Sequence, residues 1–209
     1  MNKAGLYAVT PDGWPAKRLL AAVDQAIAGG IAMLQYRAKP TPSPDLAKAL
    51  LTFCQSAGTA LIINDDVEMA RAIGADGVHL GRDDTDLARA RERLGNQAII
   101  GVSCYNSLER AADLAAAGAD YLAFGSVFAS PTKPDAVHCP LEYLTQADRF
   151  GKPVVAIGGV TAENAHQAVA AGADLVAVIS DLFEATDIRA RARQYQAIFA
   201  NAGITNNEP

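Results

Sequence analysis

Four segments of the chain repeat one pattern: an alanine-rich helical stretch, a glycine, then a short apolar run. They are A-G-G-I-A-M-L-Q around Gly30, I-G-A-D-G-V-H-L around Gly74, A-G-A-D-Y-L-A-F around Gly118 and A-G-A-D-L-V-A-V around Gly172. The glycines stand 44, 44 and 54 residues apart. The physical reading is a helix ended by Gly in the left-handed C′ conformation and followed by a buried strand. A chain built this way is confined to folds in which strand and helix units stand side by side.

Four further apolar runs lie between the repeats, at 6–9, 60–63, 98–102 and 153–157. With 31–34, 77–80, 121–124 and 175–179 they predict eight short strands. None alternates cleanly, as expected of parallel strands covered on both faces. Helices fit at 15–28, 44–57, 66–73, 84–94, 107–117, 140–150, 161–171 and 187–200. Eight units in 209 residues leave roughly 26 residues each, near the minimum for a ring of strand and helix units. The expected fold is therefore α/β, a single (β/α)8 TIM barrel over 1–209, with a frayed polar tail at 203–209. The alternative, an open doubly wound sheet, would usually carry a Gly-rich phosphate turn after its first strand. Here that strand runs into Val9-Thr10-Pro11-Asp12-Gly13.

Composition narrows the partners. Half the residues are apolar and a fifth are charged, so a chain of this length buries about 70% of its unfolded surface. Alanine makes up about a fifth of the residues, and small side chains let short helices sit close to a barrel wall. The net charge of −5 argues against nucleic acid and anionic membranes as partners. No apolar run reaches the ~18 residues of a membrane span, and Met1-Asn2-Lys3 does not open a signal peptide. Three cysteines, Cys54, Cys104 and Cys139, without CxxC spacing argue against a disulfide scaffold or structural zinc, and a reducing cytoplasm is expected.

A barrel places its active site at the C-terminal strand ends, so the polar residues there are the candidates. After strand 2 come Gln35, Arg37 and Lys39, which period two puts on one side. Two cations and an amide suit a phosphate or pyrophosphate, or else form a solvated strand end. After strands 3 and 4 come Asn64-Asp65-Asp66 and His79-Leu80-Gly81-Arg82-Asp83-Asp84. Carboxylates beside a cationic pocket are what Mg²⁺ takes, although Asp66 and Asp84 also suit helix caps. His79 reads as a structural hydrogen-bonding group, and His138 and His166 make no metal spacing with it. Strand 5 presents Ser103 next to Cys104, the latter read as structural. Strand 6 leads into a long segment, 127–140, with Ser130-Pro131-Thr132-Lys133, which has the length of a lid. Strands 7 and 8 end in Gly158-Gly159 and Ile179-Ser180, where barrels often bind phosphate through backbone N–H groups. One mouth with two anion sites implies two phosphorylated small-molecule substrates, one of them needing Mg²⁺.

Seven motifs then occur in order: Q-Y-R-A-K (35–39), N-D-D (64–66), D-G-V-H-L-G-R-D-D (76–84), G-V-S-C-Y-N (101–106), F-G-S-V-F-A-S-P-T-K-P (124–134), A-I-G-G-V (156–160) and A-V-I-S (177–180). In order and spacing, over about residues 5–182, the chain resembles the thiamine-phosphate synthases. The resemblance implies a transferase that condenses 4-amino-5-hydroxymethyl-2-methylpyrimidine diphosphate with hydroxyethylthiazole phosphate, giving thiamine phosphate and pyrophosphate. It implies pyrimidine-diphosphate contacts at Gln35, Arg37, Lys39, Asn64, Ser103 and Lys133, with Arg37, Lys39, Lys133 and Ser103 acting in catalysis. It implies Mg²⁺ on Asp65 and Asp84, and thiazole-phosphate contacts at Ser130, Thr132, Gly159, Ile179 and Ser180. Ser126 and Ala129 stand where the family often has Pro, Ser130 where Thr is common, and Arg82-Asp83 where Gln-Glu is common. A related thiazole tautomerase would need no diphosphate clamp and typically uses a His after strand 5, where this chain has Tyr105. A non-catalytic phosphate-binding barrel would not need the clamp either.

Overall fold

The computed structural model describes residues 4–81, 86–129 and 137–204. Eight parallel strands close into a barrel in sequence order. They are β1 (Gly5–Val9), β2 (Met33–Tyr36), β3 (Ala60–Asn64), β4 (Gly77–Leu80), β5 (Ile99–Tyr105), β6 (Tyr121–Phe124), β7 (Val154–Ile157) and β8 (Leu175–Val178). Around them lie α1 (Ala16–Gly29), α2 (Pro44–Ser56), α3 (Val67–Ile73), α4 (Leu87–Leu94), α5 (Leu108–Ala116), α6 (Glu142–Ala147), α7 (Ala165–Ala170), α8 (Ser180–Phe183) and α9 (Ile188–Asn201). The (β/α)8 expectation holds. No helix among the described residues is long and apolar enough to cross a membrane.

The repeat does what its residues dictate. Gly30, Gly74, Gly118 and Gly172 all have positive φ, between 73° and 102°, where a Cβ would be strained. In three repeats an Asp follows two residues later, and each carboxylate accepts a hydrogen bond from the start of the preceding strand. Asp76 accepts from Leu61 N at 2.8 Å, Asp120 from Ile100 N at 2.7 Å and Asp174 from Val154 N at 2.7 Å. Asp120 also pairs with Arg91 at 2.5 Å. These bonds tie adjacent strands at the closed end of the barrel, away from the mouth. We predict that Asp120→Ala loses about 1–3 kcal/mol by leaving Ile100 N unpartnered and taking the carboxylate from Arg91, which keeps the carbonyls of Gly95, Ala98 and Gly118. Thermal unfolding should show Tm lower by about 2–12 °C; an unchanged Tm would show that the carboxylate is dispensable.

Alternation decides which side chains line the lumen. Tyr7, Val9, Met33, Ile62, Tyr121, Ala123, Val155, Leu175 and Ala177 form an inner cluster. Their neighbours Leu6, Ala8, Leu34, Leu61, Ile63, Leu122 and Val176 face the helices. The helices meet the wall largely through alanine: Ala22, Ala26, Ala47, Ala70, Ala90, Ala111, Ala165, Ala168 and Ala192 are all buried.

Several boundaries differ from the sequence expectation by one to four residues, the expected helix 140–150 among them, which is α6 followed by a 3-10 turn at Asp148–Phe150, and four of the shifts have a plain local cause. Strand β2 starts two residues later, because Ile31 and Ala32 form the turn that enters the barrel and Ala32 N bonds Leu6 O at 2.8 Å. Strand β5 runs on to Tyr105, through a register shift between Ser103 and Tyr105. Helix α4 starts at Leu87 because Asp86 is its cap, accepting from Ala88 N at 2.8 Å. Helix α7 starts at Ala165, since Asn164 turns back to bond Thr161 N and Gly159 O.

Candidate active site

The mouth is best built from strand β2 outward. Gln35 is not at the strand end as the sequence suggested. It pairs with Val9 and Ile62 inside the sheet and is 5% exposed. Its Nε2 donates to Tyr7 Oη at 2.8 Å. One residue beyond the strand, Arg37 is fixed by Thr10: their backbone and hydroxyl groups exchange two hydrogen bonds of 2.8 Å. The guanidinium pairs with Asp12, whose other oxygen accepts from Lys39 N at 2.9 Å. Lys39 turns the other way, and its Nζ reaches Asp65 Oδ2 at 2.7 Å. The strand ends at Tyr36, so period two no longer sets direction beyond it. The two cations diverge, one held toward β1 and the other toward β3.

Asp65 and Asp66 divide the work at the end of β3. Asp66 caps α3, accepting from Met69 N at 2.8 Å. Asp65 takes a left-handed φ of 63°, which turns its carboxylate toward Lys39 and Asn64 Nδ2, the latter at 2.7 Å. Its N–H donates to His79 O at 2.9 Å. Tyr36, Lys39, Asn64 and Asp65 line one cleft together with Arg89 and Arg93 of α4.

The floor of the mouth is polar. His79 Nδ1 lies 2.9 Å from Tyr121 Oη, and His79 Nε2 lies 2.9 Å from Ser103 Oγ. The imidazole stacks on the Tyr121 ring with centroids 5.6 Å apart. Desolvation inside the barrel pulls its pKa down to about 4, so the ring is neutral at physiological pH. Gly101 makes this possible, because a Cβ there would lie 1.8 Å from Tyr121 Cζ. Burial raises the Tyr7 and Tyr121 phenols above their ordinary range and pushes the Cys104 thiol up to about 12. Cys104 is fully buried and inert, as a structural cysteine should be.

Opposite, Gly158 and Gly159 have φ of 97° and 64°. Their near neighbours are protein atoms: a Cβ on Gly159 would meet Ala129 O at 2.4 Å, and one on Gly158 would meet Ser126 Oγ at 2.2 Å. The glycines thus let the β7 end pack against the segment after β6. Ile179 and Ser180 lead into α8, which Asp181 braces by accepting from Tyr195 Oη at 2.6 Å and Ala162 N at 3.2 Å. On the β5 side Arg110 donates to Ser103 O at 2.8 Å and Gly81 O at 3.3 Å.

The described residues therefore bring Gln35, Arg37, Lys39, Asn64, Asp65 and Ser103 to one mouth, with Gly159, Ile179 and Ser180 on its far rim. Asp84, Ser130, Thr132 and Lys133 lie outside the described residues, as do Arg82, Asp83 and 205–209. Sequence reasoning missed Tyr7, Tyr121, Asp12, Arg110 and Asp181. The first two sit in apolar runs and look like core; Asp12 and Asp181, each next to a strand end, offered a local signal.

A family model described as thiamine monophosphate synthase matches residues 6–182. A thiamine-phosphate synthase of Azoarcus sp. (strain BH72) is 55% identical over 200 residues, 94% of this chain and 97% of that protein. One from Methylobacillus flagellatus is 51% identical, covering 93% and 95%. The solved thiamine phosphate pyrophosphorylase from Pyrococcus furiosus superposes with a TM-score of 0.83 at 34% identity, covering 96% of this chain and 97% of that one.

Proposed function

Because the chain belongs to the thiamine monophosphate synthase family, we propose that its barrel mouth runs the family's condensation by a dissociative displacement. It is a transferase that joins 4-amino-5-hydroxymethyl-2-methylpyrimidine diphosphate to hydroxyethylthiazole phosphate, with pyrophosphate leaving. The departing group sits on a benzyl-like carbon of an electron-rich aminopyrimidine, which can carry positive charge. The protein then has two tasks: to neutralise the leaving diphosphate and to hold the thiazole nitrogen in line.

Arg37, Lys39 and Lys133 serve the first task, with Ser103 and Asn64 as neutral donors. The β7 and β8 rim, through Gly159, Ile179 and Ser180 with Ser130 and Thr132, holds the thiazole phosphate. No general base is needed, because the thiazole nitrogen already carries a lone pair. The observation that carries this reading is the Lys39–Asp65 pair at 2.7 Å, which sets a cation and a carboxylate side by side at one strand-end cleft.

The donor set at Asp65 suits Mg²⁺. It offers hard carboxylate oxygen at the end of a strand, and Mg²⁺ asks for one or two carboxylates before completing its shell with water and substrate phosphate. Asp65 would hold it together with Asp84. When bound, the ion supplies charge neutralisation on the leaving diphosphate.

Incubation with both substrates and Mg²⁺ should yield thiamine phosphate, and omission of the pyrimidine diphosphate should leave none. Isomerisation of a thiazole phosphate without the diphosphate would point instead to the tautomerase reading.

A further inference from the structure

Five side chains from five strands form one continuous hydrogen-bond chain across the lumen. Gln35 Nε2 donates to Tyr7 Oη at 2.8 Å, Tyr7 Oη lies 2.8 Å from Tyr121 Oη, Tyr121 Oη lies 2.9 Å from His79 Nδ1, and His79 Nε2 lies 2.9 Å from Ser103 Oγ. The two ends, Gln35 and Ser103, are residues that the resemblance to the thiamine-phosphate synthases assigns to the pyrimidine diphosphate. The three links between them have no assigned role.

Each phenol has one hydrogen to give, so the orientation of the Gln35 amide, with Nε2 toward Tyr7 Oη, sets the polarity of the whole chain. Gln35 donates to Tyr7, so the Tyr7 hydrogen is left for Tyr121. The Tyr121 hydrogen in turn goes to His79 Nδ1. The neutral imidazole must then carry its proton on Nε2 and give it to Ser103 Oγ. With Gln35 Nε2 on Tyr7, reversed polarity beyond that link would make Tyr7 accept from both neighbours and leave its own hydrogen without an acceptor at a position 1% exposed, which costs about 1–3 kcal/mol. With its oxygen already accepting from His79, Ser103 has its own hydrogen free for the mouth. A diphosphate can use only a donor.

We infer that Tyr7, Tyr121 and His79 are positioning residues that lock the histidine tautomer and thereby present Ser103 as a hydrogen-bond donor to the leaving diphosphate. The inference rests on the reaction proposed above.

Two experiments test it. In the chain carrying His138→Gln and His166→Gln, both at exposed positions, His79 is the only histidine left. Nitrogen-15 NMR then reads its tautomer directly: Nε2–H as the major form is expected, and Nδ1–H as the major form overturns the proposal. This reading does not depend on the reaction.

The second experiment is kinetic. Tyr121→Phe keeps the ring and removes the link, and should lower kcat about 10- to 100-fold while leaving KM for the thiazole phosphate unchanged. Ser103→Ala should fall at least as far, and Tyr121→Phe added to Ser103→Ala should cost nothing further. Independent, multiplying losses in the double variant would show that Tyr121 does not act through Ser103. If the parent protein makes no thiamine phosphate, the reaction assignment fails, while the tautomer measurement still decides the polarity of the chain.

Discussion

Arg37→Ala and Lys133→Ala should each cut kcat/KM by about 10²–10³-fold with the fold intact. That is the scale for removing one fixed group aimed at charge developing on a leaving anion. At Arg37 the structure sharpens the expectation. Its backbone is locked to the fully buried Thr10, and its guanidinium rests on Asp12. Deleting the cation removes a donor and also strands the Asp12 carboxylate beside an incoming diphosphate. Arg37→Ala should therefore be worse than the loss of one contact, and Asp12→Asn added to it should recover part of the rate. Arg37→Lys should rescue little, because an ammonium cannot reproduce a planar guanidinium contact. Steady-state kinetics with circular dichroism as a folding check decide the matter. Near wild-type rates for both Arg37→Ala and Lys133→Ala would discard the clamp.

The second large effect is expected at Asp65. Asp65→Asn should raise the Mg²⁺ concentration for half-maximal rate at least about tenfold and lower the rate at saturation by a similar order. Asparagine is the right replacement for a backbone reason. Position 65 sits at φ 63°, a left-handed conformation that Asp and Asn adopt far more readily than other side chains. The variant thus removes charge without forcing the turn, and the Asp65 N–H to His79 O bond survives. Lys39 also loses its 2.7 Å partner, so KM for the diphosphate need not rise in step with the Mg²⁺ requirement. A Mg²⁺ titration of both proteins separates the two effects. Full activity of the parent protein in excess chelator would sink the metal assignment.

Most of the candidate ring was legible because barrels put chemistry at strand ends and the apolar runs gave those ends to within three residues. Gln35 shows where that logic stops. The run 31–34 looked like the strand, yet Ile31 and Ala32 are spent on the turn, so the strand moved on and took Gln35 into the lumen. Asp66 and Asp86 show a second limit. Several acidic residues near a helix start are equally good caps by composition, and only the hydrogen bonds assign Asp66 to α3, Asp65 to Lys39 and Asn64 at the mouth, and Asp86 to α4.

The tyrosines mark the deepest limit. Tyr7 and Tyr36 are both buried at 1% and 3% exposure, and nothing local distinguishes them. One faces the lumen and joins the polar chain, while the other faces α2 and accepts from Ser43 N at 3.0 Å.

By itself, the sequence determined the eight-unit ring, the capping glycines and the order of polar strand ends. These depend on local conformational preference and on burial, which residue types carry with them. Tertiary structure alone decided which face of each apolar strand looks into the lumen, which carboxylate holds which cation, and how Gln35 connects to Ser103. Those outcomes follow from barrel closure, which brings residues such as Tyr7 and Tyr121, 114 apart in sequence, within hydrogen-bond reach, and no local preference encodes such a distance.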